Sequence, residues 1–309
     1  MTSSRQGFGF GVVYVLLANL GWSLSGLFVR LINADDHNLT GWQINCWRGF
    51  WMAVALLCYL VIAYGRDTGR IFSAIPSFAL ICMAVCFAAG TTFYITSLTL
   101  TATATVSVIG ATSPLFTGLL SPWITGERPG WLAWLAAMVA MAGAVIIGWH
   151  GFAANDSRQI LGLILCFGVP LTFATQTLML RRYRNYDMMP AICVGGLLSF
   201  LLAGLFSLFP FAGGSAFDIN LHSFLLLVLM GPVQLAIPLV FYGMGARTVP
   251  AITLSLLAMM DAVINPFWSW AFAGEVPDRY SVMGGLIILA GVFLSVIGHQ
   301  YINSRQRIE

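Results

Sequence analysis

The sequence predicts an all-α integral membrane protein of ten transmembrane helices, arranged as two inverted five-helix repeats around a central cavity. Three observations predict this fold: the composition, a series of long apolar runs, and an internal repeat. Of the 309 residues, 59% are hydrophobic and only 8% are charged, whereas a soluble domain has about 25% charged residues. The chain therefore has too little polar surface for a soluble protein.

Ten apolar runs account for the predicted helices, because a helix needs about 20 apolar residues to cross the hydrocarbon layer. The runs cover approximately residues 9–30, 42–64, 73–97, 102–124, 130–149, 159–181, 188–210, 221–243, 248–273 and 280–301. Their connections are short and leave no room for a soluble domain. The first run is too long for a removable signal peptide and lacks a small-residue cleavage site, so we expect a membrane helix.

The orientation follows from the charges, since every basic residue is an arginine. With the N-terminus in the cytoplasm, the inner ends and loops hold Arg5, Arg66, Arg70, Arg128, Arg181, Arg182, Arg184, Arg247, Arg305 and Arg307. The outer loops hold Asp35, Asp36, Asp156, Asp218, Glu275 and Asp278. This positive-inside pattern predicts a multi-pass protein of the bacterial inner membrane with both termini cytoplasmic. The pattern also accounts for the net charge of +3, and no nucleic-acid partner is indicated.

Catalytic and cofactor motifs are missing from the sequence. It contains no HExxH pattern, no strand-borne nucleophile and no phosphate loop. The histidines fall in predicted loops or at helix ends, and the six cysteines fall within apolar runs, where small buried residues are common. We therefore expect no enzyme, no cofactor and no metal site.

An internal repeat divides the chain into residues 1–150 and 151–309. At a constant shift of 148 residues, Gly126, Glu127, Pro129 and Gly143 recur as Gly274, Glu275, Pro277 and Gly291. Five helices per repeat is an odd number, so the second copy must cross the membrane in the opposite sense. Inverted repeats of this kind build many secondary transporters, whose binding site lies near the midplane between the halves.

Two stretches carry a resemblance to a known family. "SPLFTGLLSPWITGERP" (113–129) and "DAVINPFWSWAFAGEVP" (261–277) both resemble the end of an EamA repeat, where a proline-containing apolar helix runs into a glycine-glutamate corner. The chain is thus similar to the ten-helix EamA branch of the drug/metabolite transporter superfamily. The resemblance implies a secondary carrier, often an exporter of amino acids or related metabolites. One departure is Ala262 after Asp261, where the family commonly has proline; we expect a helix straighter there than is usual in the family.

Two charges lie at membrane depth, where an ionised side chain costs about 2.5–3.5 kcal/mol on insertion scales. Asp261 is near the centre of the ninth run, and Arg48 is six residues into the second. Asp261 could bind a substrate amine or carry a proton, or it could be a structural carboxylate. Arg48 could line the cavity, or its long stem could place the guanidinium among the outer headgroups.

Other polar and aromatic side chains at depth complete the predicted substrate site. Its residues are Asn19, Trp22, Arg48, Tyr94, Ser107, Gln176, Asp261, Asn265 and Trp268. One acid, one arginine, amides, hydroxyls and aromatic walls suit a small zwitterion, so we predict a transporter of small amphipathic metabolites and, within that class, amino-acid export. A single deep cation argues against a phosphorylated substrate.

An organic-cation or multidrug exporter is the alternative, because an acid beside tryptophans also suits a lipophilic amine. The expected partners are a small-molecule substrate and membrane lipids, and a monomer remains open. Glu127 and Glu275 lie at turns outside the hydrocarbon layer. We expect each carboxylate to accept backbone N–H groups at the start of the next helix.

Overall fold

The computed structural model describes residues 3–32, 39–100, 106, 109–148, 157–209, 215–261, 263–264, 268 and 279–305, which are largely helical and contain no β-strand. Of the predicted site residues, Ser107 and Asn265 lie outside these described residues, as does Glu275. The helices are α1 Ser3–Trp22, α2 Ser25–Ile32, α3 Gly41–Tyr64, α4 Thr68–Ala74, α5 Ser77–Leu100, α6 Ser113–Ile124, α7 Trp131–Gly148, α8 Ser157–Cys166, α9 Gly168–Arg182, α10 Met189–Phe206, α11 Leu221–Met230, α12 Ile237–Ala246, α13 Ala251–Ala258 and α14 Arg279–Arg305.

Within the described residues, five helical stretches are long and apolar enough to cross a membrane: Gly41–Ala74, Ser77–Ser97, Ile160–Arg182, Met189–Phe206 and Leu221–Ala246. Shorter apolar helices cover Gly7–Trp22, Trp131–Ile146 and Val282–Ile297. All of them overlap predicted runs, although Gly41–Ala74 continues through the predicted connection at 65–72. Helices suit this chain because an apolar run in lipid must satisfy its backbone polar groups internally.

Local signals set the bounds of α3. Thr40 and Gln43 form a capping box, in which each side chain accepts the backbone N–H of the other residue. The helix ends at Gly65, whose φ of 54° favours a residue without a Cβ. Gln43 also donates to the carbonyls of Ser215 (3.0 Å) and Asp218 (2.9 Å), which holds this end of α3 against the segment that precedes α11.

Several of the predicted runs are interrupted in the structure. The first run turns at Ser23–Leu24, the sixth at Phe167 and the ninth at Met259–Met260. The last break is directly before Asp261, so the helix is interrupted there even without a proline at position 262; whether it is straighter than is usual in the family stays a prediction. A π-helix, Gly231–Ala236, joins α11 to α12.

Pro238 explains the π-helix. It has no N–H and cannot donate to the carbonyl four residues earlier, that of Gln234. The adjacent Ile237 N–H donates instead to the carbonyl of Pro232, five residues back. This i→i−5 bond defines the wider π turn, which is common at functional sites.

Eight of the described helices close into a ring. In order around it, α3 packs on α10, α10 on α5, α5 on α9, α9 on α6, α6 on α13, α13 on α1, and α1 on α12, while the π-helix preceding α12 packs back on α3. Helices α7 and α14 pack mainly on each other and touch the ring at α6 and α13. The ring brings residues that are distant in the chain to one common axis.

Two glycines hold α7 against α14. A Cβ on Gly143 would lie 2.6 Å from the carbonyl oxygen of Gly284 and 2.9 Å from the Ile288 nitrogen. A Cβ on Gly291 would lie 2.8 Å from the oxygen of Ala136 and 2.9 Å from the nitrogen of Ala140. Later residues of α7 thus meet earlier residues of α14, so the helices cross antiparallel. Each residue of one contact lies 148 positions from its counterpart in the other.

Candidate functional site

The break between α1 and α2 presents two hydroxyl groups to other helices. Ser23 Oγ accepts a hydrogen bond of 2.7 Å from Trp268 Nε1 and donates to the carbonyl of Leu20 at 3.0 Å. Ser25 lies close to the hydroxyl of Tyr94 in α5. The interruption therefore joins the first run to the third and the ninth.

Asn19 lies one turn before this break and is completely buried. Its Nδ2 donates to the carbonyls of Val15 (2.8 Å) and Leu257 (3.0 Å), which ties α1 to the last turn of α13. Its Oδ1 is buried and has no partner among the described residues. A buried acceptor without a donor costs about 1–3 kcal/mol, so this oxygen favours the approach of a donor.

Arg48 is only 3% exposed, so its side chain lies within the protein. Its Nε has no hydrogen-bond partner among the described residues, and no described carboxylate forms an ion pair with it. Tyr94 lies within electrostatic range of the guanidinium. Buried guanidinium groups are normally paired, and this one has a free donor.

Asp261 follows the break in the ninth run and is partly buried. Its Oδ1 is shielded from solvent and has no hydrogen-bond partner in the part of the chain that the structure describes. Tyr94 lies within electrostatic range of Asp261 as well as of Arg48. The structure thus brings the two deep charges to the same tyrosine without pairing them with each other.

Trp22 belongs to an aromatic layer, defined here as Trp22, Phe173 and Tyr242. The ring centroid of Trp22 is 5.0 Å from that of Tyr242 and 6.2 Å from that of Phe173. Tyr242 is 2% exposed, and its hydroxyl lies 2.9 Å from that of the buried Thr177. These contacts join α1, α9 and α12, and α9 lies opposite α12 in the ring.

Gln176 is a residue of α9 whose side chain contacts α5. Its Nε2 donates to the carbonyl of Cys86 at 3.2 Å, and a Cβ on Gly90 would lie 3.2 Å from the same nitrogen. This half of the amide packs the two helices together. Among the other predicted site residues, Tyr94 lies near both Arg48 and Asp261, while Trp268 and Asn19 are held by separate hydrogen bonds to Ser23 and Leu257.

The predicted site did not include four residues of this region: Ser23, Ser25, Phe173 and Tyr242. The repeated serines of "WSLSG" (22–26) were the available signal, because polar residues compete for backbone hydrogen bonds and favour helix ends. Gln234 was also left out of the predicted site. It is 4% exposed within the π-helix, and its Oε1 has no partner among the described residues.

Glu127 and Arg181 form a network at one end of the bundle, called here the Arg181 end. Glu127 Oε1 accepts from Arg181 Nε at 2.6 Å, and its Oε2 accepts from the backbone N–H of Ala251 at 3.0 Å. Arg181 also donates to the carbonyls of Ala246 (3.3 Å) and Arg247 (2.9 Å). Glu127 caps a helix, as expected, but that helix is α13, which belongs to residues 151–309, and not α7, the next helix in the chain.

Comparison with known proteins adds the family. The model of the family described as "EamA-like transporter family" matches residues 9–149 and again residues 160–297. The chain is 24% identical over 188 residues to "Uncharacterized transporter YdfC" of Bacillus subtilis, covering 60% of each chain. It is 26% identical over 195 residues to "Pseudopaline exporter CntI" of Pseudomonas aeruginosa, covering 62% of this chain and 66% of that protein.

A third relative is the "Probable terminal-alkyne amino-acid exporter" of Streptantibioticus cattleyicolor. It is 28% identical over 201 residues, covering 62% of this chain and 63% of that protein. These alignments span less than two thirds of each relative's length. A protein of known crystal structure superposes on 94% of this chain and 98% of its own with a TM-score of 0.77 at 15% identity, which shows that the two share a fold.

Proposed function

The chain belongs to the EamA-like transporter family, and on that premise we propose that it exports a small zwitterionic metabolite of the amino-acid class by alternating access. The two family matches cover nearly the whole chain, and the family and its named relatives are transporters and not enzymes. The relative named as an amino-acid exporter supports this substrate class, although the shared identity is low.

The observation that carries the proposal is the unpaired charge at depth. Among the described residues, Arg48 has a free buried donor and Asp261 has a free buried acceptor, and both lie within electrostatic range of Tyr94. A zwitterion would bring a carboxylate to the guanidinium and an ammonium group to the carboxylate. Each charge would then gain the partner that it lacks, in a water-poor setting where charge-assisted hydrogen bonds are strong.

We further propose that residues 1–150 and 151–309 form inverted repeats. The antiparallel crossing of α7 and α14 supports this, because its contacts repeat at the 148-residue shift of the sequence repeat. The ring supports it too, since exchanging the two halves reproduces the order of neighbours. Two related halves that face opposite ways can exchange conformations, and each exchange moves the opening to the other side.

We place both termini and the Arg181 end in the cytoplasm of a bacterial cell, on the arginine distribution. The conformation of the structure is then closed on the cytoplasmic side. The aromatic layer, the Thr177–Tyr242 hydrogen bond and the Glu127–Arg181 network all join helices across the ring at or near this end.

Flux into or out of proteoliposomes tests the substrate class with three probes that share one ring: L-phenylalanine, phenethylamine and 3-phenylpropionate. We expect flux of phenylalanine to exceed that of either probe with a single charge. Arg48→Gln should lower phenylalanine flux ~10- to 100-fold, since a hydrogen bond to a charged group is worth about 1.5–3 kcal/mol. Arg66→Gln, which removes an exposed arginine, is the matched control and should leave flux unchanged.

Export of organic cations is the second candidate, favoured by the hydrogen bond that brings Trp268 beside Ser23 and by the aromatic layer at Trp22. An ammonium or quaternary amine binds well against such rings when a carboxylate is close. Phenethylamine flux that matches phenylalanine flux, and that Arg48→Gln does not change, would replace the zwitterion proposal with this one.

A further inference from the structure

A cleft opens at the Arg181 end, apart from Arg48, Asp261 and their neighbours. It is lined by Tyr59 and Tyr64 of α3, by Arg184, Tyr186 and Asp187 between α9 and α10, and by Arg247 after α12. Its apolar part is formed by Leu180, Met188, Met189, Val240, Gly243 and Met244. Because α9 and α12 lie on opposite sides of the ring and residues of both line the cleft, the cleft lies at the mouth of the ring axis.

The inner limit of the cleft is the closed aromatic layer. Thr177 lies one turn before Leu180 on α9, and Tyr242 immediately precedes Gly243 on α12. The hydroxyl groups of Thr177 and Tyr242 are 2.9 Å apart and buried. The cleft is therefore separated from Asn19, Ser23 and Asp261 in this conformation, and a solute bound there would wait on the near side of the layer.

The acid in the cleft is already satisfied. Asp187 Oδ2 accepts from the Tyr64 hydroxyl at 2.7 Å, and its Oδ1 accepts from the backbone N–H of Met189 at 3.0 Å. By contrast with the satisfied Asp187, the two arginines of the cleft have no charged partner among the described residues. Arg184 and Arg247 are both exposed. The charge free to recognise a ligand in this cleft is therefore positive.

We propose that the cleft is a second binding site, which captures the carboxylate of the exported solute before the layer opens. Arg184 and Arg247 would bind the carboxylate, for which guanidinium geometry is well suited. The rings of Tyr59, Tyr64 and Tyr186 would contact the rest of a small amphipathic solute. This proposal rests on the export of a carboxylate-bearing metabolite as the proposed function, and it assigns a site to the first step of that export.

An anionic lipid headgroup presents similar chemistry, since basic pockets between membrane helices on the cytoplasmic side also bind lipid phosphates. The cleft differs from such a pocket in its position on the ring axis. The two sources of negative charge make different predictions for the protection of a thiol placed in the cleft, so one labelling experiment can separate them.

The test uses the full-length protein with the six native cysteines replaced and Met244→Cys introduced. The thiol is labelled with the anionic sulfonatoethyl and the cationic trimethylammonioethyl methanethiosulfonates. We expect the anionic reagent to be favoured relative to its rate with a free thiol. The double variant Arg184→Gln/Arg247→Gln should lower that preference ~tenfold, as two unit charges at close range require. Arg66→Gln/Arg128→Gln, which removes two exposed arginines outside the cleft, should leave it unchanged.

Protection of the same thiol identifies the ligand. L-phenylalanine should slow labelling, and L-phenylalaninamide, which lacks the carboxylate, should not. Protection by added phosphatidylglycerol with none by phenylalanine would overturn the proposal and make the cleft a lipid site. An unchanged reagent preference in the Arg184/Arg247 double variant would overturn it as well. The variant Arg184→Lys/Arg247→Lys, which keeps both charges, should retain the preference and so exclude a folding defect as the cause.

Asp261→Asn separates this proposal from the proposed function. It should reduce flux and leave protection of the introduced thiol unchanged, because the closed layer lies between the two sites. Protection that persists when flux fails for every amino-acid probe would count against the central site alone. Flux that persists without protection would count against the cleft alone.

Discussion

The chain leaves a regular helix at two equivalent places, and the side chains that come after the two breaks differ. Before Ser113, the Thr112 N–H bonds to the carbonyl of Ile109 at 3.0 Å; before Asp261, the Met260 N–H bonds to that of Leu257 at 3.1 Å. Each atom pair is shifted by 148 residues. The bond from Leu115 to Thr112 (2.9 Å) recurs in the same way as that from Val263 to Met260 (3.0 Å).

The side chains at these breaks have different partners. Ser113 Oγ donates to the carbonyl of Gly110 at 2.5 Å and is satisfied within its own turn. Asp261 Oδ1 finds no partner among the described residues. Only the first break is followed directly by a proline, Pro114, so proline is not what both breaks require. The same backbone bonds thus recur at both breaks but only the second carries a charge, and on the proposed function that charge marks the half that meets the ligand.

Removing the charge at the second break should have the largest effect. Asp261→Asn keeps the size of the side chain and loses the carboxylate, so we expect phenylalanine flux to fall ~30- to 100-fold, as for a truncated buried charge pair. The variant should insert normally and keep its melting temperature within a few degrees. Normal flux across pH 5.5–8.5 (roughly the range over which buried carboxylates titrate) would make Asp261 a structural residue and refute its role in transport.

The α7–α14 crossing tests the symmetry itself. Gly143→Ala and Gly291→Ala each place a Cβ within 2.6–2.8 Å of a backbone oxygen, so each should destabilise the fold by about 1–3 kcal/mol. The two losses should be equal within error if the halves are related by a two-fold axis. Gly9→Ala is the control, since nothing lies within 4 Å of its added Cβ. Melting temperature in detergent measures all three, and a large effect at only one of the two crossing glycines would break the proposed symmetry.

The first break should respond least. Ser113→Ala removes a hydrogen bond within one turn, which is worth about 0.5–1.5 kcal/mol. It removes no group that we expect to bind the substrate. We expect flux within about twofold of the unmodified protein and a small decrease in melting temperature. A loss of flux as large as that of Asp261→Asn would show that both breaks face the substrate, and the contrast between the halves would then be wrong.

Much of the fold was predictable because the bilayer leaves few alternatives. Apolar runs of sufficient length must be helical in lipid, and the helices long and apolar enough to span it overlap the predicted runs. The repeat and the family followed from the glycine-glutamate corners, and the family matches cover both halves. For the site, the free-energy cost of placing a charge at membrane depth was enough to single out Arg48 and Asp261, since such charges usually face a cavity or a partner. Whether they bind substrate remains a prediction.

The breaks, the ring and the aromatic layer were not predictable in the same way. Hydropathy cannot order helices around a ring, because a neighbouring helix and a lipid tail are equally apolar. Close packing of small residues decides the order: a Cβ added to Gly49, for example, would lie only 3.0 Å from the carbonyl oxygen of Gly196. A single run also does not show that the Tyr242 hydroxyl will meet Thr177.

The sequence by itself therefore determined that the chain is helical and membrane-embedded, because those properties depend on composition, and its glycine-glutamate corners carried the resemblance to two EamA repeats that the family matches bear out. Only the tertiary structure decided that Arg48 and Asp261 stay unpaired with each other near one tyrosine and that Glu127 caps a helix of the other repeat. Those properties depend on which helices are neighbours. Neighbours are selected by the shape of packed surfaces, a quantity that no single run of residues contains.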